Sequence, residues 1–282
     1  MIAVVGAAGM LGSALCDELS ERGLSFIGLT RSNLSIEWCA DQLAEVLKGS
    51  EVVINALAFT DVDAAESNES LAREVNGQFV KHLAAACRRT GARLFHVSTD
   101  YVFDGMAQRP YQVADQTNPG NAYGRSKLLG EAAVFGSGCK FTIFRTSALY
   151  GVRGKNFPKT IARRLIQGDS VSVVADQTCV PTWAHDVAKL MVDYLAVGYG
   201  PQIVHATASG SCSWFEFARE IAISIGVDPD TLVHPVSSAR YKSAASRPKF
   251  SVLDNTEGPI PPIGDWQARW QVAAPEVLAS LD

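Results

Sequence analysis

The chain has 282 residues, of which 47% are hydrophobic and 19% are charged, and this composition is typical of a globular protein with one large core or a core and an added lobe. The net charge of −4 argues against nucleic acid as the main partner, because proteins that bind nucleic acid present a basic surface. No apolar run is long enough to span a membrane, and a strand predicted from residue 2 leaves no room for a signal peptide, so we expect a cytoplasmic protein.

Short apolar, β-branched runs alternate with helical patterns through the first two-thirds of the chain. These runs lack strict alternation of apolar and polar residues, which is typical of strands buried on both faces of a parallel sheet. The predicted strands are residues 2–5, 25–30, 51–58, 92–98 and 140–145, and the predicted helices are residues 10–21, 40–47, 68–89 and 122–135. The alternation predicts an α/β fold, a Rossmann-like doubly wound parallel sheet.

From about residue 151 the pattern changes to shorter elements. Predicted strands at 171–174, 203–206 and 231–236 alternate with predicted helices at 157–166, 184–197 and 214–225, and prolines at 248 and 259–262 precede a last helix near 274–281. We predict an NAD(P)-binding Rossmann domain over residues 1–150 and a smaller C-terminal α/β substrate lobe over residues 151–282. The chain is expected to cross back to the first domain.

A glycine-rich turn follows the first predicted strand. Gly6, Gly9 and Gly12 form a G-x-x-G-x-x-G pattern that opens the first helix. Glycines at such a turn let the backbone approach a pyrophosphate at the positive helix N-terminus, so the turn predicts a dinucleotide site. The alternative is a glycine-rich turn without a ligand.

The cofactor type depends on the end of the second strand. An NAD site usually has an acidic residue there, but this chain has Arg31 and Ser32, which are suited to a 2′-phosphate. These residues favour NADPH, with NADH as the alternative if Arg31 is only an exposed loop residue. The small residues at 55–58, after the third strand, suit either close passage of an adenosine or simple strand packing.

Hydroxyl groups follow the fourth strand, where ligands of open α/β sheets bind. Thr99 is placed to donate to a substrate oxygen, whereas Asp100 is either a site residue or a helix-capping or turn residue. Tyr123 and Lys127 lie four residues apart and therefore on one face of a predicted helix. A nearby ammonium favours the phenolate, so we expect Lys127 to lower the pKa of Tyr123 and make it a general acid.

The six cysteines do not suggest a metal site or a disulfide framework. They are widely scattered, with no C-x-x-C pair. We interpret them as reduced core thiols and predict no metal site. They are Cys16, Cys39, Cys87, Cys139, Cys179 and Cys212.

The motifs G-x-x-G-x-x-G, S-T-D-Y-V-F-D-G and Y-G-R-S-K resemble those of the extended short-chain dehydrogenase/reductases, and most closely the dTDP-4-dehydrorhamnose reductase family. Further matches extend the resemblance over nearly the whole length: A-A-E at 64–66 with Asn76, R-T-S-A-L-Y-G at 145–151, N-F at 156–157, D-Q-T-C-V-P-T at 176–182 and S-R-P at 246–248. The resemblance implies reduction of a 4-keto group on a nucleotide-linked 6-deoxyhexose by NAD(P)H.

The resemblance also implies roles for individual residues. Tyr123 would be the proton donor, Lys127 its partner and a ribose ligand, and Thr99 the hydroxyl that orients the carbonyl. The implied cofactor-binding residues are Gly6, Gly9, Met10, Leu11, Gly12, Ala56, Ala58 and Thr60. The implied substrate-binding residues are Val62, Asp100, Tyr101, Asn156, Gln177 and Arg247. A bidentate guanidinium independently suits Arg247 to a diphosphate, and the alternative is a surface cation.

Two positions depart from the family pattern. Ala148 stands where a bulky aromatic residue is expected, which keeps a different sugar open, either a talose-type or an antibiotic deoxysugar. Ala14 and His185 stand where some relatives have metal-binding glutamates at a dimer interface, so no metal is implied, and a homodimer is one expected assembly. A further alternative is a non-catalytic regulatory subunit that binds dinucleotide, although the Thr99, Tyr123 and Lys127 set argues against it.

Overall fold

A six-stranded parallel sheet lies at the centre of the computed structural model, which describes residues 1–198, 200 and 202–281. The strands in chain order are β1 (Ile2–Val5), β2 (Phe26–Leu29), β3 (Val52–Asn55), β4 (Arg93–Thr99), β5 (Phe141–Thr146), β6 (Leu149–Tyr150), β7 (Val171–Val174), β8 (Thr178–Cys179), β9 (Thr182–Trp183), β10 (Ile203–His205), β11 (Cys212–Ser213) and β12 (Val233–Val236). The central sheet has the order β10-β5-β4-β3-β1-β2. This doubly wound order confirms the predicted Rossmann-like α/β class.

Helices cover both faces of the sheet. They are α1 (Met10–Glu21), α2 (Ala40–Val46), α3 (Val62–Ser67), α4 (Glu69–Arg73), α5 (Phe79–Thr90), α6 (Ala122–Phe135), α7 (Phe157–Ile166), α8 (Ala184–Asp193), α9 (Trp214–Ser224), α10 (Pro229–Leu232) and α11 (Trp266–Ala279). Ile2 and Val4 of β1 pack in one core with α1 and α8, whereas Ala3 and Val5 pack in a second core with α2 and α5. Because successive side chains of a strand point to opposite faces, both faces of β1 are buried.

The second half of the chain forms three two-stranded sheets, which pair β6 with β9, β8 with β11, and β7 with β12. The predicted strand 203–206 instead pairs with β5 as β10, so the chain crosses back into the central sheet. The predicted strand 231–236 starts at Val233, because Pro229 begins the short helix α10. The division into domains at residue 150 stays a prediction.

The prediction of a single helix over residues 68–89 was wrong. The structure has α4, a π-helical turn (Glu74–Gln78) and α5. Within the turn, the buried Asn76 amide bonds to the backbone N and O of Phe59 at 2.9 and 3.0 Å, and donates to the Ser126 hydroxyl at 2.9 Å. A π turn inserts one residue into the helix, and this one holds the segment after β3 against α6.

The last helix begins eight residues earlier than predicted, at Trp266. The Asp265 carboxylate caps it by accepting from the backbone N of Gln267 and Ala268 at 3.0 and 3.2 Å, and Pro275 lies inside it. All six cysteines are free, but the prediction of core thiols was wrong for Cys39, which is exposed. No helix within the described ranges is long and apolar enough to cross a membrane.

Candidate active site

A cavity of about 460 Å³ lies beyond the carboxyl ends of β1, β3, β4 and β5. It brings together most of the predicted site residues, from both halves of the sequence. Those that line it are Gly9, Met10, Leu11, Ala56, Ala58, Thr60, Val62, Thr99, Asp100, Tyr101, Tyr123, Lys127 and Gln177. Its position matches the rule that open α/β sheets bind ligands outside the carboxyl ends of their strands.

The glycine turn forms one wall of the cavity. Gly6 has a φ of +84°, and a Cβ on Gly12 would lie 2.0 Å from the Gly6 carbonyl oxygen, so a side chain at Gly12 would prevent this packing. Gly9 is the N-cap of α1 and provides no side-chain cap, so the first amides of α1 remain available at the cavity. These donors fit a pyrophosphate. Gly6 and Gly12 support the turn without lining the cavity.

Helix α6 carries Tyr123 and Lys127 to the opposite wall. The Asn121 side chain caps α6 by accepting from the backbone N of Gly124 at 2.7 Å. A Cβ on Gly124 would lie 2.2 Å from the Tyr101 carbonyl oxygen, so this glycine allows α6 to approach the end of β4. The buried Lys127 ammonium donates to the Val97 carbonyl oxygen at 2.6 Å, and the Tyr101 ring packs edge-on against the Tyr123 ring at 5.8 Å.

The expectation that Lys127 lowers the pKa of Tyr123 was wrong. Tyr123 lines the cavity, and desolvation raises its pKa to about 12, while a hydrogen bond with Thr99 acts in the opposite direction. Desolvation likewise lowers the pKa of Lys127 to about 8, against the attraction of Glu131. Tyr123 is therefore a protonated phenol at neutral pH, the form that donates a proton.

Asp100 is a buried carboxyl group next to this pair. Its oxygens accept from the hydroxyls of Thr99 at 2.9 Å and Ser147 at 2.8 Å. Burial raises its pKa to about 6, although hydrogen bonds from Ser251, Ser147 and Thr99 oppose the shift. The alternative of Asp100 as a turn residue is confirmed, since it begins a 3₁₀ turn (Asp100–Val102), but it is not the cap, because the Thr99 hydroxyl caps this turn by accepting from the backbone N of Tyr101 at 3.2 Å.

A buried ion pair beneath α6 was missed by the sequence reasoning. The Arg145 guanidinium binds the Glu131 carboxylate through two hydrogen bonds of 2.9 and 2.7 Å, and the Ser98 hydroxyl donates to the same carboxylate at 2.6 Å. Glu131 follows Lys127 by four residues, and this spacing was a signal that could have revealed it. The pair connects α6 to the ends of β4 and β5.

Besides Gly6 and Gly12, four predicted cofactor or substrate residues do not line the catalytic cavity: Arg31, Ser32, Asn156 and Arg247. Arg31 and Ser32 are exposed after β2, where the Ser32 hydroxyl bonds the Thr30 hydroxyl at 2.8 Å. Asn156 is buried as the N-cap of α7, and its amide donates to the Gly151 carbonyl oxygen at 2.7 Å. Their roles in binding stay predictions.

A second, larger cavity of about 1050 Å³ contains Arg247. The Arg247 guanidinium is paired with the Asp63 carboxylate through hydrogen bonds of 2.5 and 3.2 Å. Gln177 and Trp214 line both cavities, so the two spaces adjoin at these side chains. Trp214 was not singled out from the sequence.

The two departures from the family pattern have distinct surroundings. Ala148 lines the catalytic cavity with a φ of +43° and is, within the described ranges, the only non-glycine residue with positive φ. His185 packs against the Trp183 ring at 4.7 Å. Among the described residues, no group of three or more His, Cys, Asp or Glu side chains could hold a metal ion.

Known proteins resemble the whole chain. A family model described as the RmlD substrate binding domain matches residues 1–282. The dTDP-4-dehydrorhamnose reductase of Mycobacterium tuberculosis is 39% identical, over 100% of this chain and 95% of the relative. A probable dTDP-4,6-dihydroxy-2-methyloxan-3-one 4-ketoreductase of Streptomyces antibioticus is 38% identical, over 98% of this chain and 95% of the relative. The crystal structure of a dTDP-4-dehydrorhamnose reductase from Bacillus anthracis in complex with NADP has a TM-score of 0.91 at 33% identity, with 98% of each chain covered.

Proposed function

This chain belongs to the RmlD family of extended short-chain dehydrogenase/reductases, and we propose that it reduces the 4-keto group of a dTDP-linked 4-keto-6-deoxysugar with NADPH. The leading substrate is dTDP-4-dehydro-L-rhamnose, which would give dTDP-L-rhamnose. One observation carries the proposal: Tyr123, a phenol with a pKa near 12, shares a cavity with the Thr99 hydroxyl and the free N-terminus of α1.

The residues present fit a dinucleotide cofactor. The α1 amides near Gly9, Met10 and Leu11 would hold its pyrophosphate, and the Lys127 ammonium would meet its ribose. Ala56, Ala58 and Thr60 would border its adenosine side. When bound there, NADPH supplies the hydride that reduces the sugar carbonyl.

The protein side chains, above all Tyr123, supply the proton for the reduction. As negative charge develops on the carbonyl oxygen, Tyr123 donates its hydroxyl proton to that oxygen. Thr99 would orient the same oxygen. The Thr99 hydroxyl donates to the Asp100 carboxylate, so it would have to rotate away from that carboxylate to donate to the sugar. Asp100, Tyr101 and Val62 border the space where the sugar would lie.

Substitution of Tyr123 by Phe tests the proposal. The measurement is NADPH oxidation with dTDP-4-dehydrorhamnose, with dTDP affinity measured in parallel. We expect kcat to fall by about 10²–10⁴-fold, the usual contribution of a positioned general acid, while dTDP affinity is retained. Undiminished turnover by Tyr123→Phe would refute the role given to Tyr123.

A second candidate keeps the chemistry and changes the sugar. The small side chain of Ala148 in the cavity wall favours it, and a Streptomyces relative is named for a different dTDP-sugar. NMR of the reduced product would separate the two candidates by the configuration at C4.

A homodimer and a cytoplasmic location also stay predictions, and light scattering of the purified protein would test the first.

A further inference from the structure

The boundary between the two cavities is where the diphosphate of a nucleotide-sugar would lie if the proposed function holds. The sugar must reach Tyr123 in the first cavity, and the larger second cavity has room for the nucleoside. Gln177 and Trp214 line both spaces, and Phe157 packs against Trp214 at 4.7 Å on the side of the second cavity. A diphosphate at this boundary brings negative charge that the protein must balance.

Lys155 is the basic side chain of the catalytic cavity that is placed to balance it, whereas Lys242 and Lys249 line only the second cavity. Among the described residues, only Lys127 and Lys155 are basic residues that line the catalytic cavity. Lys127 is buried and donates to the Val97 carbonyl oxygen, and Arg247 in the second cavity is paired with Asp63. Lys155 is exposed, and no hydrogen bond or ion pair engages its ammonium within the part of the chain that the structure describes.

The backbone around Lys155 is held in place beside the cofactor turn. The Asn156 amide donates to the Gly151 carbonyl oxygen at 2.7 Å, and the Lys159 ammonium donates to the Val152 carbonyl oxygen at 2.8 Å. Gly151 lies against Met10 of α1, since a Cβ on it would be 3.2 Å from the Met10 Cγ. Residues 151–157 therefore run from Met10 of α1 to Phe157, which packs against the boundary residue Trp214.

We propose that Lys155 is a diphosphate ligand, whose ammonium binds a phosphate oxygen of a nucleotide in the catalytic cavity. Two nucleotides supply this chemistry: the nucleotide-sugar at the boundary and the cofactor at the N-terminus of α1. A charge-assisted hydrogen bond of this kind stabilises the bound nucleotide and weakens as salt rises.

The experiment measures binding to the full chain by calorimetry, with dTDP and NADP⁺ as separate probes at low and high salt. We expect Lys155→Gln to weaken at least one of them by about tenfold and to reduce its salt dependence, and Lys155→Arg to restore most of the affinity. Loss of dTDP affinity identifies the substrate diphosphate, and loss of NADP⁺ affinity identifies that of the cofactor. Lys48→Gln, an exposed lysine after α2, is the matched control.

Unchanged affinity of Lys155→Gln for both probes would overturn the proposal, as would a wild-type protein that binds neither. Turnover is not needed for these measurements, so they separate this inference from the proposed function. A protein whose dTDP affinity depends on Lys155 but which does not reduce dTDP-4-dehydrorhamnose would refute the proposed substrate and leave the Lys155 assignment standing. In an active enzyme, Lys155→Gln should raise the KM for the nucleotide whose diphosphate Lys155 binds and leave kcat unchanged.

Discussion

The pKa values of ionisable groups shift in opposite directions in the two adjoining cavities. In the catalytic cavity, burial raises the pKa of Asp100 to about 6 and that of Tyr123 to about 12, and lowers that of Lys127 to about 8, so all three shifts favour the neutral form. In the second cavity, the Arg247 hydrogen bonds lower the pKa of Asp63, and the Ser238 amide lowers that of Asp176, so both shifts favour the charged form. Burial favours the neutral forms in the catalytic cavity, whereas hydrogen bonds to the carboxylates favour the charged forms in the second cavity.

Lys127→Met should give the largest effect. Because the pKa of Lys127 falls from 10.5 to about 8 on folding, its buried cation destabilises the folded protein by up to roughly 3 kcal/mol at pH 7, and this cost disappears as the pH rises through 8 towards 10.5. We therefore expect activity to fall by about a hundredfold or more, from lost positioning, while the free energy of unfolding at pH 7 rises.

Urea denaturation of the ligand-free protein at pH 7 and pH 10.5 tests the stability part of this prediction. The advantage of Lys127→Met should be largest at pH 7 and nearly absent at pH 10.5. A variant that is less stable than wild type at pH 7 would show that the hydrogen bond from Lys127 to Val97 outweighs the cost of desolvation. The difference between the two cavities in the direction of their pKa shifts would then be weaker.

Asp100→Asn and Asp63→Asn should respond to pH with opposite signs. The raised pKa of Asp100 means that wild type loses stability as the pH rises from about 4 to 6, so the stability of Asp100→Asn relative to wild type should increase by roughly 2 kcal/mol between pH 4 and pH 7. The lowered pKa of Asp63 means that wild type loses stability as the pH falls through the acid range, so the relative stability of Asp63→Asn should decrease as the pH rises. Thermal unfolding from about pH 2 to pH 7 checks both, because the Asp63 change falls below about pH 4 and the Asp100 change between about pH 4 and 6, and equal signs would contradict the comparison.

The sequence predicted the central sheet and the catalytic cavity better than the second half of the chain. Parallel strands buried on both faces appear in the sequence as continuous apolar runs. Ligands of such sheets bind at the carboxyl ends of the strands, so the topology predicted that Thr99 and Tyr123 lie together. The π turn around Asn76 could not be predicted, because it depends on a tertiary hydrogen bond to Ser126. The last helix was predicted to begin eight residues too late, and it contains Pro275, which a helix interior usually excludes.

The direction of the Tyr123 pKa shift could not be predicted from the spacing of residues 123 and 127. Spacing reveals the neighbouring charge but not the depth of burial, and desolvation is the largest cause of the raised pKa, with the Asp100 charge acting in the same direction. The pairing of Arg247 with Asp63 could not be predicted from the sequence either, because residues 184 positions apart meet only through the fold.

Arg247→Met should have a smaller effect, confined to binding. If Arg247 contacts the nucleotide, we expect dTDP affinity to fall by about tenfold with kcat unchanged, because one bidentate charge contact is lost. Asp63→Asn is the control, since it breaks the same ion pair and leaves the guanidinium in place. Equal dTDP affinity in wild type and both variants would indicate that the pair only supports the loop that carries Arg247.

Arg31→Ala should have the smallest effect, because Arg31 lies outside both cavities and is exposed to solvent. A guanidinium beside a 2′-phosphate favours NADPH, but solvent and salt screen an exposed charge, so we expect the KM for NADPH to rise by only about three- to fivefold. The KM for NADH, which lacks that phosphate, should stay the same, and the ratio of the two values is the measurement. Because only the NADPH value depends on a 2′-phosphate contact, an equal rise in both KM values would show that Arg31 supports the loop after β2 without selecting the cofactor.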